Sequence, residues 1–338
     1  MFSVKPFFSV VSVAAMLMLA VASCRDGGAN ARHGIQTTAG DLQQQLEACR
    51  KQHAAQVSTA EVEVLRAKLR RYDGVAEEEG HRRAAMRRVM DSYSRGVCLI
   101  HGVFTFHERR GVTSAPVKDA EEKPIELEYL GSGFLVSDHG HVVTNRHVAE
   151  PWWNNERVAP LLAAGLEPTF IQLTATFPDH EPLSIDAKTI RVSTESVDVA
   201  VFVVSVKGIP VLPLSDRDPR ELRGERLMLL GYPTGLSALL ARADPDVAHA
   251  ALAEAHDTTT LIEALSRRHA ITPVITHGTL SDATGRQLIY DAVTTSGGSG
   301  GPVFGPDGDV IGVNFAILRD FQGSNFGVPI RFVQPLLP

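Results

Sequence analysis

Gly297-Gly298-Ser299-Gly300-Gly301-Pro302 decides how this chain is read. A serine with glycine on both sides is a serine around which backbone N–H groups can crowd. Glycine lacks a Cβ, so Gly297 and Gly300 can take positive φ and bring the main chain close to a reacting carbonyl. Acyl transfer needs that geometry: an exposed nucleophilic oxygen beside donors aimed at the developing oxyanion. A Gly-rich turn carrying a solvated serine fits the same six residues. The rest of the chain has to choose between them.

Serine catalysis requires a base and a group that orients the base. Upstream, His147 lies in Val142-Val143-Thr144-Asn145-Arg146-His147-Val148, just after an apolar run. Asp198 lies in Ser196-Val197-Asp198-Val199-Ala200-Val201-Phe202, at the start of another. A carboxylate there is costly unless it is paired. The chain order is His147, Asp198, Ser299. The loop also satisfies G-x-S-x-G, the nucleophile elbow of a different hydrolase fold, but that fold places its histidine after the serine. No histidine occurs from Gly300 to Pro338, and Pro302 and Pro306 oppose the helix the elbow needs.

The 338 residues allow about two domains, and 44% hydrophobic with 21% charged residues is the composition of a globular core. A net charge of −6 gives no reason to expect nucleic acid as a partner. Lys5 precedes an apolar run from Phe7 to Ala22 that is short for a membrane span. It ends in Leu19-Ala20-Val21-Ala22-Ser23-Cys24, which resembles a bacterial lipoprotein signal cleaved before a lipidated cysteine. The expectation is a signal over 1–23, lipidation of Cys24, a membrane-held protein outside the cytoplasm and a flexible tether over 24–40. An ordinary secretory signal and an uncleaved anchor are the alternatives, and both also export the chain. Of the three cysteines, Cys49 and Cys98 remain as a possible disulfide. There is no C-x-x-C pattern. His139 and His141 beside Asp138 are read as turn residues rather than metal ligands, and no metal or other cofactor is expected.

From Asp41 to Arg95 the pattern is helical. Ser58-Thr59-Ala60-Glu61 reads as a capping box, Asp73-Gly74 as a break, and 76–93 as a further helix whose early glutamates and late arginines suit the helix dipole. This segment, 41–95, is read as a spacer, with a protein partner as the sharper alternative. At Gly96 the character changes to short strands: 97–100, 103–106, 133–136, 141–144, 169–177, 189–192, 197–206, 226–230, 272–280, 288–293, 310–315 and 326–330. Turns separate them and no helical crossover alternates with them, so an all-β sandwich or barrel is expected. Two helical insertions interrupt the strands, 151–166 and 236–269. The second is read as two helices broken at Asp244-Pro245, with Thr260-x-x-Glu263 as a second capping box.

Four blocks together resemble a known family. Gly131-Ser132-Gly133-Phe134-Leu135-Val136, Thr144-Asn145-Arg146-His147-Val148, Asp198-Val199-Ala200-Val201 and the Ser299 loop are similar, in order and separation, to the chymotrypsin-like serine proteases. The bacterial Deg/Htr-type branch is the nearest likeness. The resemblance implies two antiparallel six-stranded β-barrels, over 96–215 and 216–338, with the site between them. It implies a serine endopeptidase acting on polypeptide through Ser299, His147 and Asp198, with the N–H groups of Gly297 and Ser299 as the oxyanion hole. A catalytically silent, peptide- or partner-binding member of the same fold is the alternative. Gly298 stands where an acid would pair with a newly cut amino terminus, and no Ile-Val-Gly-Gly-like start is present. Activation by terminal insertion is therefore not expected. Nor is a PDZ domain after Ile330. By the same likeness Val293, Ala316 and Gly327 form the substrate pocket, which should prefer a small or medium apolar residue before the scissile bond.

Overall fold

The structure is a computed structural model and describes residues 39–52, 59–110, 113–317 and 324–338. The signal expected over 1–23, Cys24, most of the tether and Ser58 of the first capping box lie outside those residues. The chain divides into two compact units, 1–76 and 77–338. No helix among the described residues is long and apolar enough to cross a membrane.

Helix α1 is Ala39–Gln52, with Asp41 in its first turn. Helix α2 runs unbroken over Thr59–Asp91, so the break expected at Asp73-Gly74 does not form. A glycine inside a helix costs only about 1 kcal/mol. Further along the helix, ion pairs one turn apart join Arg82 to Glu78 and Arg83 to Glu79 and support it. The last turns of α2 belong to the second unit: Ala85 and Val89 are buried, and Val89 joins the main apolar core. Here the helix is core rather than spacer. Tyr93 then stacks on Phe304, with ring centroids 6.2 Å apart.

The second unit holds two β-structures. The first sheet contains β1 (Val97–Arg110), β2 (Thr113–Pro116), β3 (Glu126–Leu135), β4 (His141–Thr144), β5 (Glu167–Thr176), β6 (Leu183–Ser184), β7 (Arg191–Val192) and β8 (Ala200–Val203). Their order is β6-β5-β1-β3-β4-β8-β7, with β2 paired to β1. Every pairing is antiparallel. Among the described residues this path is open, with β6 and β7 at its ends, where a closed six-stranded barrel was expected. The two end strands have only two residues each. Cys98, Ile100, Val142, Phe177 and Phe202 fill its concave core. Cys98 there is a free, fully buried thiol and makes no disulfide.

The second β-structure is closed. It comprises β9 (Arg226–Gly231), β10 (Val274–Ala283), β11 (Leu288–Tyr290), β12 (Pro302–Phe304), β13 (Val310–Ile317) and β14 (Asn325–Pro329), joined in the ring β9-β10-β11-β14-β13-β12. Six antiparallel strands in one barrel is the architecture the sequence implied. The nucleophile loop is the link between β11 and β12.

Two short helices lie within the first sheet, α3 (Arg146–Ala149) and α4 (Ala159–Ala163). The stretch from 151 to 158 is turns rather than helix. The second insertion forms three helices, not two: α5 (Leu236–Arg242), α6 (Pro245–Glu254) and α7 (Thr258–Arg267). The break at Asp244-Pro245 holds, because Asp244 caps α6 through the Asp246 N–H and Pro245 takes the first helical position. The capping box closes one residue set earlier than Thr260-x-x-Glu263. Asp257 is the cap, and its carboxylate accepts from the Thr260 N–H while the Thr260 hydroxyl takes the Asp257 N–H. Aspartate is a stronger cap than threonine. Leu239, Ala251, Ile262 and Leu265 pack these helices into the main core between the two β-structures.

Candidate active site

Strand β4 ends at Thr144, and Asn145 caps the one-turn helix α3 with extended dihedrals, φ −77° and ψ 154°. The Asn145 side chain does not cap α3. It reaches across to donate to the Asp198 carbonyl at 2.7 Å. Asp198 sits in a tight turn in which the Val199 N–H donates to the Val197 carbonyl, 2.9 Å, the i→i+2 bond of a γ-turn. Ser196 just before it has φ 55°. This turn aims the Asp198 carboxylate at α3. One oxygen lies 2.6 Å from His147 Nδ1 and the other accepts the His147 backbone N–H at 3.0 Å. Two bonds to one carboxylate fix the imidazole ring. An acceptor at Nδ1 places the proton there and leaves Nε2 with a free lone pair. The Asp198 side chain is 12% exposed and that of His147 38%, so the pair faces a cleft rather than the core.

The glycine loop is held from both sides. On the barrel side, Asn314 of β13 donates through Nδ2 to the Gly298 carbonyl at 2.8 Å and to Thr294 Oγ1 at 3.1 Å. Its main chain takes the Gly300 N–H at 2.8 Å and gives its own N–H to the Gly301 carbonyl at 2.9 Å. Beneath it the buried Tyr290 hydroxyl lies 2.7 Å from Asn314 Oδ1, and burial pushes that phenol well above its ordinary pKa, so it stays a donor. On the other side stands Ser132 of β3, fully buried. Its hydroxyl donates to the Gly297 carbonyl at 2.6 Å and accepts the Tyr232 N–H at 2.9 Å. Its own N–H donates to the Ser299 carbonyl, 2.8 Å, and its carbonyl accepts from the Thr144 hydroxyl, 2.7 Å. One residue thus joins the first sheet, the residue that follows barrel strand β9, and the loop.

Gly297 and Gly300 have φ +90° and +87°. A Cβ on Gly298 would lie 2.4 Å from Thr294 Oγ1 and 3.1 Å from the Thr295 carbonyl. The position where an acid was noted as missing therefore has no room for any side chain. The N–H groups of Gly298, Gly300 and Gly301 donate to Thr295, Asn314 and Gly298 carbonyls. Those of Gly297 and Ser299 have no acceptor among the described residues. The Ser299 hydroxyl donates to the Phe315 carbonyl at 3.0 Å, and no bond joins it to His147. His147, Ser299 and Gly297 line one cavity of about 540 Å³, walled by Tyr129, Leu130 and Trp153. Arg146 stacks 4.9 Å over Trp153 and pairs with Glu150 at 2.8 Å, which fixes that wall.

The fold therefore brings His147, Asp198, Ser299 and Gly297 together. Of the expected pocket residues, Ala316 follows Phe315, whose carbonyl accepts the Ser299 hydroxyl, and Gly327 pairs with Asn314 across β13 and β14. Val293 is 69% exposed because its neighbour Ala292 turns into the core. Gly327 backs onto the Tyr290 ring, with a Cβ position 3.2 Å from it. Neither is among the residues that line the two cavities at Gly297, and the Ala316 side chain lies outside the described residues. His141 is buried, bonded to Ser137 at 2.7 Å, and burial lowers its pKa. No metal-binding cluster occurs among the described residues. Ser132, Tyr290 and Asn314 were not singled out by sequence reasoning. A polar residue inside an apolar run, as in Val310-Ile311-Gly312-Val313-Asn314, was the available signal, because a buried amide must be paired.

Residues 131–313 match the family described as trypsin-like peptidase domain, and this chain belongs to that family. HhoB of Synechocystis sp., named as a serine protease, is 30% identical over 204 residues, which are 60% of this chain and 38% of HhoB. A protein of Halomonas elongata named as a DegP-like periplasmic serine endoprotease is 27% identical over 232 residues, 67% of this chain and 38% of that protein. The chain thus matches under two fifths of the length of these relatives. Among solved structures, the serine endoprotease from Yersinia pestis aligns over 75% of this chain and 64% of its own, at 19% identity and a TM-score of 0.44.

Proposed function

We propose that this chain is a serine endopeptidase that cleaves polypeptides of the cell envelope through an acyl-enzyme. The observation that carries the reading is the pair of unspent N–H groups on Gly297 and Ser299, in the same cleft as an imidazole whose Nδ1 is held by a carboxylate. Rotation of the Ser299 side chain away from the Phe315 carbonyl presents its hydroxyl to His147 Nε2. His147 then takes the proton as Oγ attacks the carbonyl carbon, and the new oxyanion receives the two free N–H bonds. Collapse expels the amine, which takes the proton from His147, and water repeats the sequence to free Ser299. Asp198 holds the imidazole tautomer throughout.

Reaction with a fluorophosphonate probe tests this. Wild-type protein is expected to label on Ser299 and Ser299→Ala to stay unlabelled. An unlabelled, folded wild type refutes it, leaving the peptide-binding reading.

The relatives named as periplasmic support an exported enzyme, and the Leu19 to Cys24 sequence extends the proposal to a lipid anchor at Cys24. Wild type is expected to partition with detergent and Cys24→Ala with water. A wild type that partitions with water refutes the anchor.

A further inference from the structure

A second cavity of about 330 Å³ adjoins the first across Leu130 and Gly297. It touches neither His147 nor Ser299. Leu130, Leu236, Thr234 and Thr258 form its walls, and its one charged lining residue is Glu128. From these features we propose that it binds a lysine or arginine side chain of the substrate, two residues beyond the scissile bond, and that Glu128 sets this preference. The inference rests on the peptidase reading above.

Chemistry decides which part of a substrate reaches this cavity. The leaving nitrogen must accept a proton from His147, so the product amine departs on the His147 side, through the larger cavity. An extended chain advances about 3.3 Å per residue and alternates its side chains. The first residue after the bond occupies the larger cavity, and the next passes the shared wall of Leu130 and Gly297.

Glu128 is built as a fixed anion. His101 on the neighbouring strand β1 is 1% exposed, and its Nε2 lies 2.6 Å from Glu128 Oε1. Its Nδ1 is buried with no partner among the described residues, so the ring proton belongs on Nε2 and is donated to Glu128. The Thr258 hydroxyl at the start of α7 donates to Oε2 at 3.0 Å. The carboxylate is held from two elements while its side chain remains 45% exposed. Each oxygen of this cavity-lining residue has one of these partners and capacity to accept another bond. A tie needed only to satisfy His101 has no use for a half-exposed carboxylate. Leu130 and Leu236 suit the methylene stem of a lysine or arginine whose charged head reaches Glu128. Because the acid is already ordered, the interaction loses little conformational freedom on binding.

Quenched-fluorescence peptides that differ only at the second residue after the cleaved bond test the assignment. Lysine and arginine peptides are expected to exceed the norleucine peptide in kcat/KM by about twofold to fivefold, as for a partly solvated ion pair. The ratio should shrink with added salt. In Glu128→Gln the lysine-to-norleucine ratio should approach one. In Glu128→Lys it should invert in favour of a glutamate peptide, a gain that misfolding cannot mimic. A flat profile on an active wild type, or an unchanged ratio in both variants, overturns the assignment and leaves the peptidase reading intact. No cleavage of any peptide, with no probe labelling, overturns both.

Discussion

Replacing Ser132 by alanine removes one oxygen and tests how the loop is held. Two bonds go with it, to the Gly297 carbonyl at 2.6 Å and from the Tyr232 N–H at 2.9 Å. Tyr232 is 1% exposed and Gly297 stands at the rim of the cleft, so at least one buried partner is left unsatisfied. An orphaned buried partner costs about 1–3 kcal/mol, and with the Tyr232 N–H as that partner the stability loss is of that size. A domain of this kind has about 5–15 kcal/mol in hand, so the variant folds. The backbone bond from Ser132 N–H to the Ser299 carbonyl survives, so the change isolates the side-chain bridge. Losing an oxyanion donor outright costs about 10²–10³ in kcat. Here the Gly297 donor is loosened rather than deleted, and the expected loss is about 10–100-fold in kcat, with KM changed less than about threefold. Urea unfolding gives the stability, and kcat is taken per folded molecule. A variant that loses the stability but keeps kcat within about twofold would show that Ser132 only joins the two β-structures, and the positioning argument would be wrong.

Other expectations follow from the same geometry. Asp198→Asn should lower kcat by about 10⁴-fold, as in the measured triad case from which that magnitude comes, with KM little changed; kcat within about tenfold of wild type would remove Asp198 from the mechanism. Gly298→Ala forces a Cβ against Thr294 Oγ1 and the Thr295 carbonyl, and should cost about 1–3 kcal/mol in urea unfolding together with most probe labelling; full labelling would show that the loop yields. Val89→Ala should destabilise the second unit by about 1–3 kcal/mol, because Val89 is fully buried in its core; an unchanged urea midpoint would return the whole helix to the role of spacer. Burial pushes the Cys98 thiol far above its ordinary range, so raising the pH to about 9, above a free cysteine's pKa, should still leave it unalkylated by iodoacetamide until urea is added; peptide mapping reads the outcome.

The chain's order of chemistry was readable because each part is local. A histidine after one strand, an aspartate before another and a serine among glycines are patterns a few residues long. The strand content and the break at Asp244-Pro245 were readable for the same reason. What escaped was set by distant partners. Pro302–Phe304 reads as the tail of a Gly-rich loop. It becomes a strand because β9 and β13 pair with it on both sides. Asp73-Gly74 reads as a stop, and its neighbours carry the helix through it. Ser132 was quoted as part of a motif but given no role, since Tyr232 and Gly297 lie 100 and 165 residues away.

These distant partners also explain how the loop holds its shape without an acid at position 298. In an enzyme switched on by a cut terminus, an ion pair beside the serine would lock the loop after cleavage. Here Gly298 leaves no room for an acid, and Asn314 donates to the carbonyl of that same residue. Tyr290 supports Asn314 from below, and Ser132 fixes Gly297 from the other β-structure. None of these bonds uses a terminus or a group that must titrate. On the proposed peptidase reading, the donor pair of Gly297 and Ser299 is therefore held by bonds that form as the two β-structures pack together. On the same reading, the Ser299 hydroxyl, which lies against the Phe315 carbonyl, has still to turn. A side-chain rotation is a far smaller barrier than refolding a loop.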